Sequence, residues 1–342
     1  MPSVMSVQGL ISEDQLGFTL PHEHLFTDLS CYWKGEAQEP DRRAYYDQPI
    51  TAEIRPAVQA DPWAFRDNTL LESEEKAVVE ANAFKKAGGR TIVDVSPYAW
   101  MGRNPRGLLH VAEKTGLNVI MAAGRYSEPT MTADEKKKSV SDLEKQFLNE
   151  FLNGAEPSGI KPGLLKVGFV DKLDKEAELR SLRAAGRVQH KVGCALSVHP
   201  HIWEPESHRI LDILEEEGCD LRRVILCHQD FLGNCSDYLS SLAERGAFLE
   251  FDTFGSGRLN DRMWQLSETE KVHNVQRQID RGNLKHLLIS GDMCLKVMLS
   301  SWGGSGLANI PLNTLPALKS AGICDEALQV LVEENPKMAL CY

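Results

Sequence analysis

The stretch FTLPHEH, running from Phe18 to His24, reads as a buried β-strand that ends in a pair of histidines. Its continuous apolar body suits a strand covered on both faces, where side chains need not alternate in polarity. Side chains at i and i+2 of a strand point the same way, so His22 and His24 can aim at one point. Seven further runs share this character: Arg90 to Ser96, Asn118 to Gly124, Leu164 to Val170, Cys194 to His199, Val224 to His228, Ala247 to Thr253 and His286 to Asp292. Amphipathic segments lie between them, among them Leu71 to Lys86, Leu108 to Thr115, Ala133 to Leu152, Lys175 to His190, Ser207 to Glu217 and Glu268 to Arg281. Gly88, Gly116, Gly218 and Gly282 follow such segments, as a left-handed helix stop requires. Strand and helix in alternation imply βαβ units and a parallel sheet. Eight repeats predict an α/β fold of the closed (β/α)8 (TIM barrel) type, with a doubly wound open sheet as the alternative.

One segment breaks the rhythm. Residues 26–68 separate the first two strands by far more chain than one helix needs, and they hold Tyr32, Trp33, Tyr45, Tyr46 and Trp63. Long loops in compact domains are usually functional or disordered. The aromatics favour an ordered insertion after the first strand, near the active-site mouth. It is either a lid or a piece packed onto the barrel. Residues 1–342 are expected to form one domain, because barrels of this size are common.

Bulk composition removes several classes. The formal net charge is −11, which disfavours nucleic acid and anionic membranes as partners. No stretch of about 18 apolar residues is present, and the first residues lack a basic and apolar leader. The eight cysteines are spread out, with no Cys-x-x-Cys pair, as in a reducing compartment. The expectation is a cytoplasmic protein acting on a small molecule.

Ionisable residues collect at the strand ends. His22 and His24 end the first run, Lys166 sits in the fourth, His199 ends the fifth, His228 the sixth and Asp292 the eighth. Barrel active sites form at the carboxyl ends of the strands. Any one strand-end histidine could be an ordinary hydrogen-bonded core residue, but four of ten histidines fall there, with an aspartate at the end of a further strand. Imidazole with carboxylate suits divalent zinc, manganese, iron or cobalt. An ammonium at Lys166 would be repelled by such ions. A buried lysine can instead react as the neutral amine and, with carbon dioxide, form a carbamate whose two oxygens can bridge two metals. A structural or Schiff-base lysine remains the alternative.

These residues resemble the phosphotriesterase-like family of the amidohydrolase superfamily, which includes organophosphate triesterases, lactonases and animal phosphotriesterase-related proteins. The resemblance runs from Gly9 to Leu340 and rests on PHEHL at Pro21, GLLKVG at Gly163, VHPH at Val198, LCHQD at Leu226, SGD at Ser290 and ENPKMAL near the end. It implies two divalent ions, zinc first among them. His22, His24 and Asp292 would hold the buried ion, and His199 and His228 the more exposed one. Carboxylated Lys166 and a hydroxide would bridge the two, with Asp292 as general base. It leaves a homodimer open, since family members are often dimers.

The resemblance says less about substrate. Tyr126 is similar to a pocket tyrosine of the lactonases. Thr253, after Asp252, stands where triesterases carry a histidine and many lactonases an arginine, and Phe231 replaces an acidic residue of the triesterase proton relay. Both departures shift the expectation from phosphotriesters towards a lactone or carboxylic ester. N-acyl amide hydrolysis is the alternative, since FDTFG resembles a segment of the animal proteins, and promiscuous triesterase action follows. A barrel that binds without turnover comes last. Arg125, Lys296 and Arg103 could receive an anionic substrate group or simply serve solubility. Asp252 and His201 complete the residues expected around the substrate.

Overall fold

The structure is a computed structural model, and it describes residues 1–33, 47–170, 172–257, 259–260 and 266–342. Tyr45 and Tyr46 of the insertion lie outside the described residues. Eight parallel strands form one sheet in sequential order: β1 (Thr19–Glu23), β2 (Thr91–Asp94), β3 (Asn118–Arg125), β4 (Leu164–Gly168), β5 (Ala195–His199), β6 (Val224–Leu226), β7 (Phe248–Phe251) and β8 (Leu287–Ile289). Sequential order with parallel pairing is what repeated right-handed βαβ units produce, and it closes the sheet rather than opening it at a switch point.

The seam between β8 and β1 is made without a regular ladder. Glu23 accepts hydrogen bonds from Ser290 Oγ (2.8 Å) and from the N–H groups of Gly291 (2.8 Å) and Met293 (3.0 Å). Ser290 Oγ also lies 2.9 Å from the His22 carbonyl, and Asp292 N–H donates to that carbonyl at 3.2 Å. The barrel is thus stitched at its seam by a fully buried carboxylate.

Helices α1 (Arg55–Ala60), α2 (Glu74–Lys86), α3 (Pro105–Thr115), α4 (Val140–Asn153), α5 (Glu176–Val192), α6 (Ser207–Glu216), α7 (Ser236–Glu244) and α8 (Glu268–Asp280) follow the strands. Capping residues set their starts: Ser73, Asn104, Ser139 and Ser267 each accept an N–H from the first turn. The four glycines expected to stop helices all have positive φ. The sequence pattern predicts a helix from Ala133, but α4 begins after the Ser139 cap, and Glu135–Lys137 forms a separate 3-10 turn. An antiparallel N-terminal hairpin precedes β1, Ser3–Ser6 with Gly9–Ser12, and its Val4 and Ile11 close the barrel floor.

The interior is layered with period two. Leu164, Ala195, Ile225, Phe248 and Leu288 share the lower, apolar layer. Two residues further along the same strands stand Lys166, Ser197, Cys227, Glu250 and Ser290, all buried. Two further still come His199, Asp252 and Asp292 at the mouth. Alternation of side chains along each strand is enough to sort the barrel into an apolar floor, a polar middle and a chemical rim.

In the insertion, Thr27–Asp28 pairs with Leu70–Leu71, and Trp33 Nε1 donates to the Ala64 carbonyl. Among the described residues, no helix is long and apolar enough to cross a membrane. All eight cysteines are unpaired.

Candidate metal centre

Four imidazoles meet at the rim. Ring centroids are 5.9 Å apart for His22 and His24, 5.1 Å for His22 and His228, and 4.3 Å for His199 and His228. Asp292 Oδ1 lies 3.2 Å from His24 Nε2 and 3.6 Å from His22 Nε2. Lys166 is buried below them, its Nζ donating to Ser197 Oγ (3.2 Å) and Cys227 Sγ (3.1 Å). The structure therefore brings together all six residues singled out as ligands.

A second ring of groups holds the histidines by their Nδ1 atoms. His22 Nδ1 is 2.8 Å from Glu250 Oε2 and 3.0 Å from Asp252 Oδ2. His228 Nδ1 is 2.7 Å from Asp252 Oδ1. Carboxylates only accept, so both rings carry their proton on Nδ1. Ser96 Oγ gives its single hydrogen to the Phe26 carbonyl, so at 2.8 Å it accepts from His24 Nδ1. His199 Nδ1 meets the Tyr126 hydroxyl at 3.0 Å. In each ring the nitrogen left for a metal is Nε2, and pinning Nδ1 in this way fixes tautomer and orientation.

Charge also calls for a cation. Burial and Lys166 both disfavour a proton on His22, yet the neighbouring Cys227, Asp252 and Glu250 raise its pKa well above the usual histidine value. Burial, then His228 and Lys166, push His199 well below it, towards the neutral ligating form. Burial works against ionisation of Asp292, but His22 and His24 outweigh it and hold its carboxyl down at about 2. Two sets of donor atoms are spaced to share an ion: His22, His24 and Asp292, and His22, Cys227, His228 and Asp252.

His228 and Asp292 are the non-glycine residues with positive φ, 58° and 45°, among the described residues. Such backbone costs of order 1–3 kcal/mol at each position and persists only where surrounding structure enforces it. Asp94 supports the rim from below by accepting the N–H groups of Leu25 (2.7 Å) and Ser96 (3.0 Å).

A cavity of about 270 Å³ opens above the cluster. His22, His24, Lys166, His199, His228 and Asp292 form its floor; Leu29, Tyr32, Trp63, Met101, Tyr126, Val170, Ile202, Trp203 and Cys294 form its walls. The residues expected to bind substrate divide. Tyr126 is on the wall. Arg125 is not; it pairs with Glu135 and donates to the Gly124 carbonyl. Lys296 pairs with Asp67 and lines an adjoining cavity instead, while Arg103 pairs with Glu150 at 2.6 Å. Asp252 stands behind the histidines, fully buried. His201 is off the wall, its Nδ1 4.0 Å from Glu206. The cations fail as pocket residues because each had an acidic partner nearby in space that the sequence did not advertise. Glu250 and Glu23 are functional parts not expected from the sequence, although counting back two residues from Asp252 puts Glu250 inside the barrel.

Fold and rim together define a TIM barrel that gathers histidines and an aspartate at its strand ends. Residues 2–340 match the Phosphotriesterase family. An N-acetyltaurine hydrolase from Xenopus tropicalis is 31% identical, covering 99% of this chain and 98% of the relative. A resiniferatoxin-binding protein from Rhodobacter sphaeroides superposes with a TM-score of 0.93 at 35% identity, covering 99% of this chain and 94% of that one. A lactonase from Listeria monocytogenes has the same fold, with a TM-score of 0.81 at 21% identity over 99% and 98% of the two chains. The chain belongs to the phosphotriesterase family.

Proposed function

We propose that this protein is a metal-dependent hydrolase of carboxylic esters or lactones whose non-reacting part is uncharged and apolar. The observation that carries the reading is the cavity: a floor of metal-type donors under walls of Leu29, Tyr32, Trp63, Met101, Val170, Ile202 and Trp203. Among the described residues, Lys166 is the only cationic side chain on its surface apart from the histidines.

The donor set fits divalent ions, since four imidazoles present Nε2 and the buried carboxylates favour positive charge. His22, His24 and Asp292 would hold one ion and His199 and His228 another, with Lys166 between them as a carbamate. Its amine nitrogen bonds to the carbon of carbon dioxide and releases a proton. Bound there, the ions supply Lewis acidity, which lowers the pKa of a water and polarises the carbonyl. Asp292 stays ionised at neutral pH, which supports a role for it in accepting the proton of the attacking water. Glu250 and Asp252 keep His22 and His228 aimed while this happens. Tyr126 does the same for His199 from the cavity side. The apolar walls shed water and receive the acyl or alkyl part of the substrate.

Amide hydrolysis is the second reading, and it is favoured by the similarity to the N-acetyltaurine hydrolase. An anionic amine portion would meet little positive charge on the described walls, which ranks it below neutral esters. The test is kcat/KM of the zinc-loaded protein across neutral esters, lactones, neutral N-acyl amides and N-acyl amides with an anionic tail. Neutral apolar esters or lactones should lead. Preference for the anionic amides would overturn the ranking, and no turnover of any class would overturn the hydrolase reading.

A further inference from the structure

A second cavity, of about 290 Å³, lies between α1 and the loops that follow β7 and β8. It shares no lining residue with the cavity over the metal-type cluster. Its wall includes Arg55, Gln59, Ser256, Gly257, Ser305 and Asn313, and no acidic side chain among the described residues. Three connections hold it in shape. Asn260 N–H donates to the Gln59 carbonyl at 2.8 Å, Asn260 Nδ2 to the Ala60 carbonyl at 2.9 Å, and Ser305 Oγ to the Gly255 carbonyl.

Arg55 is the anomaly. Its Nε is fully buried and has no hydrogen-bond partner, and no ion pair to its guanidinium is formed among the described residues. Arginine retains its charge in proteins, so a buried N–H of this kind is expected to have an acceptor. The guanidinium lies against Gly303, where a Cβ would stand 3.2 Å from Nε and where φ is +81°. Gly303 is thus glycine on two counts, backbone conformation and room for Arg55. Behind the wall, Lys271 pairs with Glu268 at 2.8 Å, so those two charges offset one another and Arg55 sets the sign.

We propose that this cavity is a binding site for a small oxyanion group, a phosphate or sulfate, with the Arg55 guanidinium as its principal contact. Planar guanidinium donors match tetrahedral oxyanions and form charge-assisted hydrogen bonds with them. The loops after the seventh and eighth strands are where TIM barrels frequently receive phosphate groups, so the placement agrees with the chemistry. An occupant would tie α1 of the insertion to both loops and so brace that side of the active-site rim. The site does not depend on the hydrolase reading.

The test is calorimetric titration of inorganic sulfate and inorganic phosphate into the metal-loaded protein and into Arg55→Gln, at constant ionic strength. Anion binding at the metal cluster is common to both proteins, so the difference reports this cavity. A class of sites weakened about tenfold or more in the variant is expected. Identical isotherms would overturn the proposal. Glycerol 3-phosphate, run in parallel, separates the sources: tighter binding than inorganic phosphate marks the head of a larger molecule, and weaker binding marks the free anion. Should Arg55→Gln fail to fold, a selenate-soaked crystal of the unsubstituted protein decides the matter. An anomalous peak beside Arg55 supports the site, and its absence there refutes it.

Discussion

Asp252 grips His228 twice: one carboxylate oxygen takes the ring Nδ1 at 2.7 Å and the other takes the backbone N–H at 3.1 Å. The second contact acts on a residue whose φ is 58°. One side chain therefore fixes both the ring and the backbone that carries it. Replacing Asp252 by alanine should weaken metal binding about 10- to 100-fold, the usual cost of losing an orienting carboxylate. Competition against a chromophoric chelator measures this, and unchanged affinity would remove Asp252 from the supporting ring.

Lys166→Ala should lose both metal retention and activity, with partial recovery of each on adding a short carboxylic acid. In the unsubstituted protein, carbon-13 dioxide should give a carbamate resonance that vanishes in the variant. A fully metallated, fully active Lys166→Ala protein would rule out the bridging part assigned to this lysine.

Glu23 should matter to stability more than to chemistry. It is fully buried and accepts three hydrogen bonds across the barrel seam. Alanine there leaves those donors unsatisfied, at about 1–3 kcal/mol each before relaxation. Chemical denaturation should show a loss of roughly 3 kcal/mol or more. A loss below roughly 1 kcal/mol would mean the seam is held by something else.

Tyr126→Phe keeps the cavity wall but removes the hydroxyl that meets His199 Nδ1. The expected result is a selective weakening of one of two bound ions, seen as biphasic metal release, with little change in KM for an apolar ester. A shift in KM alone would make Tyr126 a substrate contact only.

Chelation should lower the melting temperature, because Glu23, Asp94, Asp230, Glu250, Asp252 and Asp292 are all buried around the rim. A ligand that binds only the folded state adds RT ln(1 + [L]/Kd), about 2.7 kcal/mol at a hundredfold excess over Kd. Readdition of zinc should restore the melting temperature; identical melting with and without metal would contradict a structural load on the cluster.

The barrel and the strand-end position of His22, His24, His199, His228 and Asp292 were legible because both follow from short-range rules. Apolar runs of strand length marked β1 to β8, and polar residues at their carboxyl ends marked the rim. What stayed hidden depends on long-range pairing. Arg125 and Lys296 look available in the sequence, but Glu135 and Asp67 occupy them in the fold. The Ser3–Ser6 hairpin was missed because two four-residue strands carry almost no periodic signal. Glu250 was missed for a different reason: a glutamate inside an apolar run reads as an outward-facing residue until the inward phase of β7 is fixed by Phe248 and Asp252.

The left-handed backbone at His228 and Asp292 bears on how this barrel can change. Neither residue sits where its own conformational preference would put it; the surrounding barrel imposes the geometry. A sequence selected only for durability would relax these positions first, and the relaxed barrel would melt later while its rim lost the shape that gathers four imidazoles. Resistance to heat and competence at the rim should therefore oppose one another here, and at these two positions before any others.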